Sequence, residues 1–303
     1  MVRKPKFSVV ITLLAVNHYV RECVKYLLEQ SYKDFEIIIV SCQDEKEKFD
    51  KTKIINAGRV SPAQGRNRGV KESSGEIIAF IDDDAFPAKD WFKNALPYFD
   101  DVSIGAVAGP GIMPPQSTFM QKLSGLVYEL SAGKTCYRYR EGKKQEIDDY
   151  PTCNLFVRKS DFLQAGGFDE KYWGGEDTQF CHALTQNLHK KIIYDPSVLA
   201  YHHRREKFKQ HVKQTWFWAM WRGFFSRIYP ETSRKLTYFT PSLFVLGVVF
   251  GGIFSFFYSL IKTIYFSVLV VYAVYLLILG LFTKNIKFYF PFVFLTFVTH
   301  IAY

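Results

Sequence analysis

The sequence predicts an α/β domain with a mostly parallel sheet, followed by apolar helices that hold the chain on a membrane. Two observations carry this prediction. Continuous apolar, β-branched runs alternate with helical patterns in the N-terminal part of the chain, which is typical of a parallel sheet buried on both faces. No charged residue occurs in Leu236–Ile261 or Thr263–Thr283, and an apolar helix of about 20 residues spans a bilayer core.

The strands and helices alternate along the first part of the chain. Apolar runs predict strands at Phe7–Leu14, Phe35–Val40, Glu76–Ile81 and Tyr150–Val157. Helical spacing and a Ser-Pro start predict helices at Tyr19–Gln30, Ser61–Ser73 and Gly174–Gln186. Residues 110–150, rich in Gly, Pro and charge, are expected to be irregular, either as a flap over a site or as a surface insertion. We assign residues 1–205 to this domain.

Charge and cysteine usage limit the class of protein. The formal net charge is +10, and many basic residues lie in 187–235, where anionic lipid headgroups would attract them. The chain has no long Lys/Arg run with a nucleic-acid motif, so we exclude nucleic acid as a partner. The five cysteines are dispersed, as expected of free thiols in a reducing cytosol. We find no signal-peptide pattern near the start, so the α/β domain is expected in the cytoplasm.

Three consecutive acids, Asp82, Asp83 and Asp84, directly follow the third predicted strand. Ligands of open α/β sheets bind beyond the carboxyl ends of strands. Adjacent carboxylates repel one another unless a cation or hydrogen-bond donors neutralise them, and Mg2+ or Mn2+ prefers oxygen ligands. The triplet therefore indicates a divalent-metal site for a diphosphate; a solvated acidic turn is the alternative.

Two further motifs carry candidate side chains. In Gly174-Gly175-Glu176-Asp177, the glycines permit a tight turn and the acids open a helix, where a carboxylate stays ionised and serves as a general base. A helix-capping acid pair is the alternative. In Gln64–Gly69, Arg66 or Arg68 is a candidate to meet a nucleotide base or phosphate, although Arg68 also fits a surface ion pair.

In this order, the motifs resemble those of the inverting family 2 glycosyltransferases with a GT-A fold, a Rossmann-like nucleotide-sugar-binding fold. The similarity spans roughly residues 7 to 203 in four stretches: SVVITLLAVNHYVRECVKYLLEQSYKDFEIIIV, SPAQGRNRGVKESSGEIIAFIDDDAFPAKDW, CNLFVRKSDFLQAGGFDEKYWGGEDTQFCHAL and IIYDPSVLAYHH. The resemblance implies that Asp82 and Asp84 hold the donor ribose and a Mg2+ or Mn2+ ion. It also implies that Asp177 is the catalytic base and that Glu176 aids the acceptor side.

The chain departs from the family pattern at two nucleotide-contacting positions. The family often reads I-P-T-Y-N where this chain has Ile11–Asn17 with Leu13, and D-D-G-S where it has Ser41-Cys42-Gln43-Asp44. Leu13, Asp44, Arg66 and Asp82 are therefore the predicted nucleotide-sugar contacts. Asp44 either receives the N–H of the nucleotide base, or the nucleotide is held differently.

The Q-x-x-R-W motif of processive synthases is absent from the sequence, which favours transfer of a single sugar. The predicted function is a metal-dependent hexosyltransferase with a nucleotide-diphosphate donor and a lipid-linked or membrane-proximal glycan acceptor. Two alternatives are a polyprenyl-phosphate sugar synthase, whose phosphate acceptor needs no base, and a non-catalytic sugar-nucleotide sensor or scaffold.

The last part of the chain predicts membrane attachment. Residues 206–235 mix aromatic with basic side chains, as in an interfacial helix; a packed core helix is the alternative. Apolar spans are predicted at about 236–259, 263–283 and 288–303, with a buried hairpin of a soluble domain as the alternative. Because Lys262 alone separates the first two spans while Arg and Lys flank them, the positive-inside rule predicts a multi-pass cell-membrane protein with a cytoplasmic catalytic domain.

Overall fold

The computed structural model describes residues 4–303, apart from the side chains of residues 134 and 135, so residues 1–3 of the predicted catalytic domain lie outside the described residues. The chain divides into two compact units. The first comprises the chain up to Pro114 together with Tyr137–His203, and the second comprises Pro115–Cys136 and Arg204–Tyr303. Residues 115–136, which the sequence analysis assigned to the catalytic domain, thus group with the C-terminal helices.

The first unit contains two sheets. Its strands are β1 Phe7–Leu13, β2 Phe35–Ser41, β3 Thr52–Asn56, β4 Ile77–Ile81, β5 Ala85–Pro87, β6 Ile104–Ala108, β7 Gly111–Ile112, β8 Gln145–Ile147, β9 Asn154–Arg158, β10 Lys191–Tyr194 and β11 Ala200–His202. The large sheet has the order β3-β2-β1-β4-β9-β6-β10-β8, and the small one β5-β11-β7. In the large sheet β9 runs antiparallel to β4 and β6, and β8 antiparallel to β10. The other neighbours are parallel, which confirms the mostly parallel α/β fold.

The described helices follow the chain in this order: α1 His18–Leu28, α2 Pro62–Glu72, α3 Trp91–Ala95, α4 Phe119–Ser131, α5 Lys159–Gln164, α6 Glu176–His182, α7 Phe208–Ile228, α8 Pro230–Ser233, α9 Leu236–Ser255, α10 Ser259–Leu281 and α11 Ile286–Ala302. Short 3-10 helices lie at Leu96–Asp100 and Gly133–Arg138, and a π-helical turn at Ala183–Asn187 continues α6.

The large sheet is buried on both faces, which explains its continuous apolar strands. Side chains alternate between the faces of a strand. Phe7, Val9 and Ile11 of β1 therefore enter one core cluster with the apolar face of α1. Val10 enters a second cluster with Val70 of α2. The carboxyl ends of β1, β2 and β4 meet at one edge of the sheet, and this edge carries the candidate site.

Helix α4 corrects the prediction that residues 110–150 are irregular. The helix begins after Thr118, whose side-chain oxygen accepts a bond from the Gln121 backbone amide, while the Gln121 side-chain oxygen accepts a bond from the Thr118 backbone amide. This capping box satisfies two otherwise unpaired amides. Leu123 and Val127 of the helix are buried in a small apolar cluster with Phe292 of α11.

Two helices of the second unit, α9 and α10, are long and apolar enough to cross a membrane, and α11 is a shorter apolar helix. They correspond to the three predicted spans. Lys262 lies within the first turn of α10 rather than in a separate loop. The predicted interfacial segment, residues 206–235, contains α7 and the short helix α8.

Candidate functional site

The acids after β4 lie close to His202, which is distant from them along the chain but near them in space. Asp84 precedes β5, which pairs antiparallel with β11 so that His202 lies opposite Ala85. This pairing places His202 Nε2 3.0 Å from Asp84 Oδ1. One ligand atom from each of Asp82, Asp84 and His202 lies within 4.8 Å of the others. The side chain of Asp82 is 28% exposed, so the group is open to a ligand on that side.

This donor set fits a divalent metal. Two carboxylates supply oxygens, as Mg2+ and Mn2+ prefer, and imidazole suits transition-metal ions. An ion held by these three protein ligands would keep positions for the oxygens of a bound phosphate. Both predicted metal ligands, Asp82 and Asp84, belong to the group, and His202 adds a third donor.

A buried arginine connects the strand-end acids with the second acidic motif. Arg66 of α2 contacts Glu176 Oε1 through Nη1 at 2.5 Å and Asp82 Oδ1 through Nη2 at 3.1 Å. Its side chain is only 11% exposed. Burial lowers the pKa of Arg66, but the carboxylates of Glu176, Asp82 and Asp177 outweigh it and hold that pKa above its usual value. The guanidinium stays charged and brings the two motifs into one site.

The two acids of the second motif have different surroundings. Gly175 adopts a left-handed conformation with φ 73° directly before α6, where a glycine avoids the steric penalty of a side chain. Glu176, the first helical residue, is buried and takes the ion pair with Arg66. Asp177 is half-buried, and its Oδ1 accepts a 2.8 Å bond from the Thr178 amide. Glu176 is thus held by a structural ion pair, while Asp177 is more accessible.

The buried side chain of Asp149 holds the first turn of α6 in place. Its Oδ1 accepts a 3.1 Å bond from Thr178 Oγ1, and the side chain of Arg138 contacts its other oxygen at 3.4 Å. Because Thr178 follows Asp177, these bonds fix the backbone that carries the predicted base.

The remaining predicted contacts lie at the ends of β1 and β2. Leu13 ends β1 opposite Ser41 of β2 and is 6% exposed. Asp44 is exposed, and its Oδ1 accepts a 2.6 Å bond from Asn56 Nδ2. Its neighbour Glu45 accepts bonds from the Val16 amide and Ser41 Oγ, both at 2.8 Å. Asp44 and Glu45 thus brace the loops at this edge, and the role of Asp44 in base recognition stays a prediction.

Sequence reasoning missed His202 and its neighbour His203. His202 joins the acids, and His203 Nε2 lies 2.7 Å from Glu22 Oε2. The signal in the sequence is the His-His pair that ends the last stretch similar to the family.

The fold and the site together define a glycosyltransferase of the GT-A type. A model of the glycosyl transferase family 2 matches residues 8–162, just over half of the 303 residues, and the chain belongs to this family. A model described as the N-terminal domain of galactosyltransferase matches residues 135–209. The predicted family is confirmed.

Two curated relatives are similar over most of the chain. The glucosyl-dolichyl phosphate glucuronosyltransferase of Haloferax volcanii is 21% identical and is aligned over 80% of this chain and 85% of that protein. The dolichyl N-acetyl-alpha-D-glucosaminyl phosphate 3-beta-D-2,3-diacetamido-2,3-dideoxy-beta-D-glucuronosyltransferase of Methanococcus voltae is also 21% identical, over 83% of each chain.

A solved structure with the same fold is the mannosyltransferase PcManGT from Pyrobaculum calidifontis in complex with GDP-Man and Mn2+. Its TM-score is 0.66 at 15% identity, over 99% of this chain and 86% of that one. The similarity supports the GT-A fold with C-terminal helices.

Proposed function

We propose that the protein transfers one sugar, with inversion, from a nucleoside-diphosphate sugar to a hydroxyl of a lipid-linked or membrane-proximal glycan. The observation that carries the proposal is the double contact of Arg66 with Asp82 and Glu176. It joins a candidate diphosphate site to the acidic motif Glu176-Asp177, which carries the candidate base. The names of the two curated relatives, both of which refer to dolichyl-linked substrates, support a lipid-linked acceptor.

Asp82, Asp84 and His202 would hold a divalent ion, Mg2+ or Mn2+, and the Mn2+ in the related mannosyltransferase structure supports this assignment. When bound, such an ion acts as a Lewis acid that stabilises negative charge on a leaving diphosphate. Leu13, Asp44 and Arg66 are the further proposed contacts of the nucleotide sugar.

Asp177 is the proposed general base. Its carboxylate takes the proton of the acceptor hydroxyl as that oxygen bonds to the anomeric carbon. The bond from the anomeric carbon to the diphosphate oxygen breaks, and its electron pair leaves with the nucleoside diphosphate. Glu176, held by Arg66, orients the acceptor side.

The proposed location is the cell membrane, with several spans and a cytoplasmic catalytic domain. The helices α9 and α10 support the spans. On α7, Trp216, Met220 and Phe224 are exposed at four-residue spacing by 55%, 43% and 46%, so they form one stripe along the helix. Basic residues are frequent along residues 206–235, which contain α7 and α8 and precede α9. An anionic lipid surface fits this apolar and basic composition.

The test is a screen of detergent-purified protein against a panel of nucleotide sugars with Mn2+ or Mg2+, first for donor hydrolysis and then for transfer. Acceptors should include a dolichyl-phosphate-linked sugar and free dolichyl phosphate. Transfer to the sugar supports the proposal. Exclusive transfer to the free phosphate would favour the polyprenyl-phosphate sugar synthase, and binding without turnover would favour a scaffold.

A further inference from the structure

His203 connects the candidate metal ligands to helix α1. Its imidazole Nε2 lies 2.7 Å from Glu22 Oε2, and because a carboxylate only accepts, Nε2 carries the hydrogen and donates. The His203 side chain is 10% exposed, and its buried Nδ1 has no hydrogen-bond partner among the described residues. Glu22 therefore supplies the one polar contact that the structure records for this imidazole.

Aromatic rings fix the plane of the same imidazole. Its centroid lies 4.5 Å from that of Tyr19 and 5.8 Å from that of Phe86. Tyr19 and Glu22 are three residues apart on α1 and so share one face of the helix. Phe86 lies on β5, directly after the acidic strand end. The ring thus has a defined position between α1 and the strand that follows Asp84.

The backbone of His203 connects the fixed imidazole to Asp84. Its amide donates a 2.9 Å bond to the Asp84 carbonyl, and the preceding His202 contacts the Asp84 carboxylate at 3.0 Å. Asp84 is therefore held through both its main chain and its side chain by two consecutive residues. A displacement of His203 would change the spacing between Asp84 and His202.

We propose that Glu22 is a positioning residue that, through His203, holds Asp84 and His202 at the spacing required to bind a divalent ion. The inference rests on the metal site of the proposed function. It adds a determinant of metal affinity on α1, more than 60 residues before Asp84 along the chain. Partners that orient metal ligands typically contribute about 10–100-fold to metal affinity. Because Glu22 acts through one further residue, we expect about 10-fold.

The test measures Mn2+ affinity of the full-length protein in detergent, from the loss of the free Mn2+ signal in electron paramagnetic resonance. Glu22→Ala should weaken binding about 10-fold, whereas Glu22→Gln, which keeps an accepting oxygen, should bind almost as the unsubstituted protein does. Glu29→Ala is the matched control, because Glu29 is an exposed glutamate at the end of the same helix. Its Mn2+ affinity should not change.

A double substitution tests the route through His203. His203→Phe keeps an aromatic ring but removes Nε2, so it should weaken Mn2+ binding as Glu22→Ala does, and the double variant should be no weaker than either one. This variant also carries the test if Glu22→Ala fails to fold. Additive losses, or equal defects in Glu22→Gln and Glu22→Ala, would overturn the inference.

Measurements of Mn2+ binding distinguish a wrong positioning role from a wrong metal site. If the unsubstituted protein binds Mn2+ and Glu22→Ala and His203→Phe bind it equally well, the positioning role is wrong and the metal site stands. If the unsubstituted protein binds no Mn2+, with or without a nucleoside diphosphate, both the metal site and the positioning role are wrong.

Discussion

Asp177→Asn removes the proposed base and leaves its surroundings nearly intact. Asparagine has the same size and keeps an oxygen that accepts the 2.8 Å bond from the Thr178 amide, so α6 should start at the same residue. General-base catalysis typically contributes about 100- to 10,000-fold. At about 1.4 kcal/mol per factor of ten, kcat should fall by the equivalent of about 3–5 kcal/mol. Donor affinity and melting temperature should change little.

Glu176→Gln should lower the stability and the donor affinity, which Asp177→Asn should leave nearly unchanged. Breaking a buried ion pair costs about 3–5 kcal/mol, but here Arg66 keeps Asp82 at 3.1 Å and glutamine keeps one accepting oxygen. We therefore expect a loss of about 1–3 kcal/mol in the free energy of unfolding. Because Arg66 also contacts Asp82, donor affinity should fall as well.

The assay pairs turnover with binding for both variants. Product formation gives kcat, calorimetry with the nucleoside diphosphate gives donor affinity, and thermal unfolding in the same detergent reports the fold. If Asp177→Asn retains near-normal kcat while Glu176→Gln is inactive, the two roles are reversed. If both variants remain active, the pair is structural and the proposed mechanism is wrong.

Three further outcomes are expected. EDTA should abolish turnover and added Mn2+ or Mg2+ should restore it, with Asp84→Asn weakening metal-dependent donor binding; full turnover in EDTA would exclude the metal. Carbonate extraction should leave the protein in the membrane pellet; recovery in the soluble fraction would contradict the spans. Burial lowers the pKa of His211 to about 4, below its unfolded value of about 6.5. Because the folded state favours the neutral imidazole, the stability of the protein should fall as pH drops from 6.5 towards 4. Thermal unfolding of His211→Gln should lack this decrease.

The sequence predicted those parts of the fold that local patterns determine. The apolar strands β1, β2 and β4 are buried on both faces, and short continuous apolar runs rich in β-branched residues identify them in the sequence. Helix α4 was missed because Gly and Pro residues are frequent just before it and charged residues just after it, and both are typical of irregular segments. The Thr118-x-x-Gln121 capping box and the four-residue spacing of the apolar Leu123 and Val127 were readable in the sequence.

The candidate site could be predicted only in part, because its contacts join distant segments. The acids at Asp82 and Asp84 follow a strong strand signal and were found. His202 lies 118 positions after Asp84 and reaches it through β5 and β11, each three residues long. Strands this short carry no readable periodicity. Likewise, the sequence offered Arg66 as a phosphate contact and gave no sign that two carboxylates hold it.

The charges of the site form an argument for a bound cation that is independent of the family. Asp82, Glu176 and Asp177 all act on Arg66 and raise its pKa, so one guanidinium faces three carboxylates, and two of these contact it directly. Its charge is therefore already engaged before any donor binds. A diphosphate would add more negative charge to this place, and like charges repel strongly in a partly buried site. A divalent ion at Asp82, Asp84 and His202 would remove this conflict, because it would add positive charge beyond what Arg66, already paired with two carboxylates, can give to the donor.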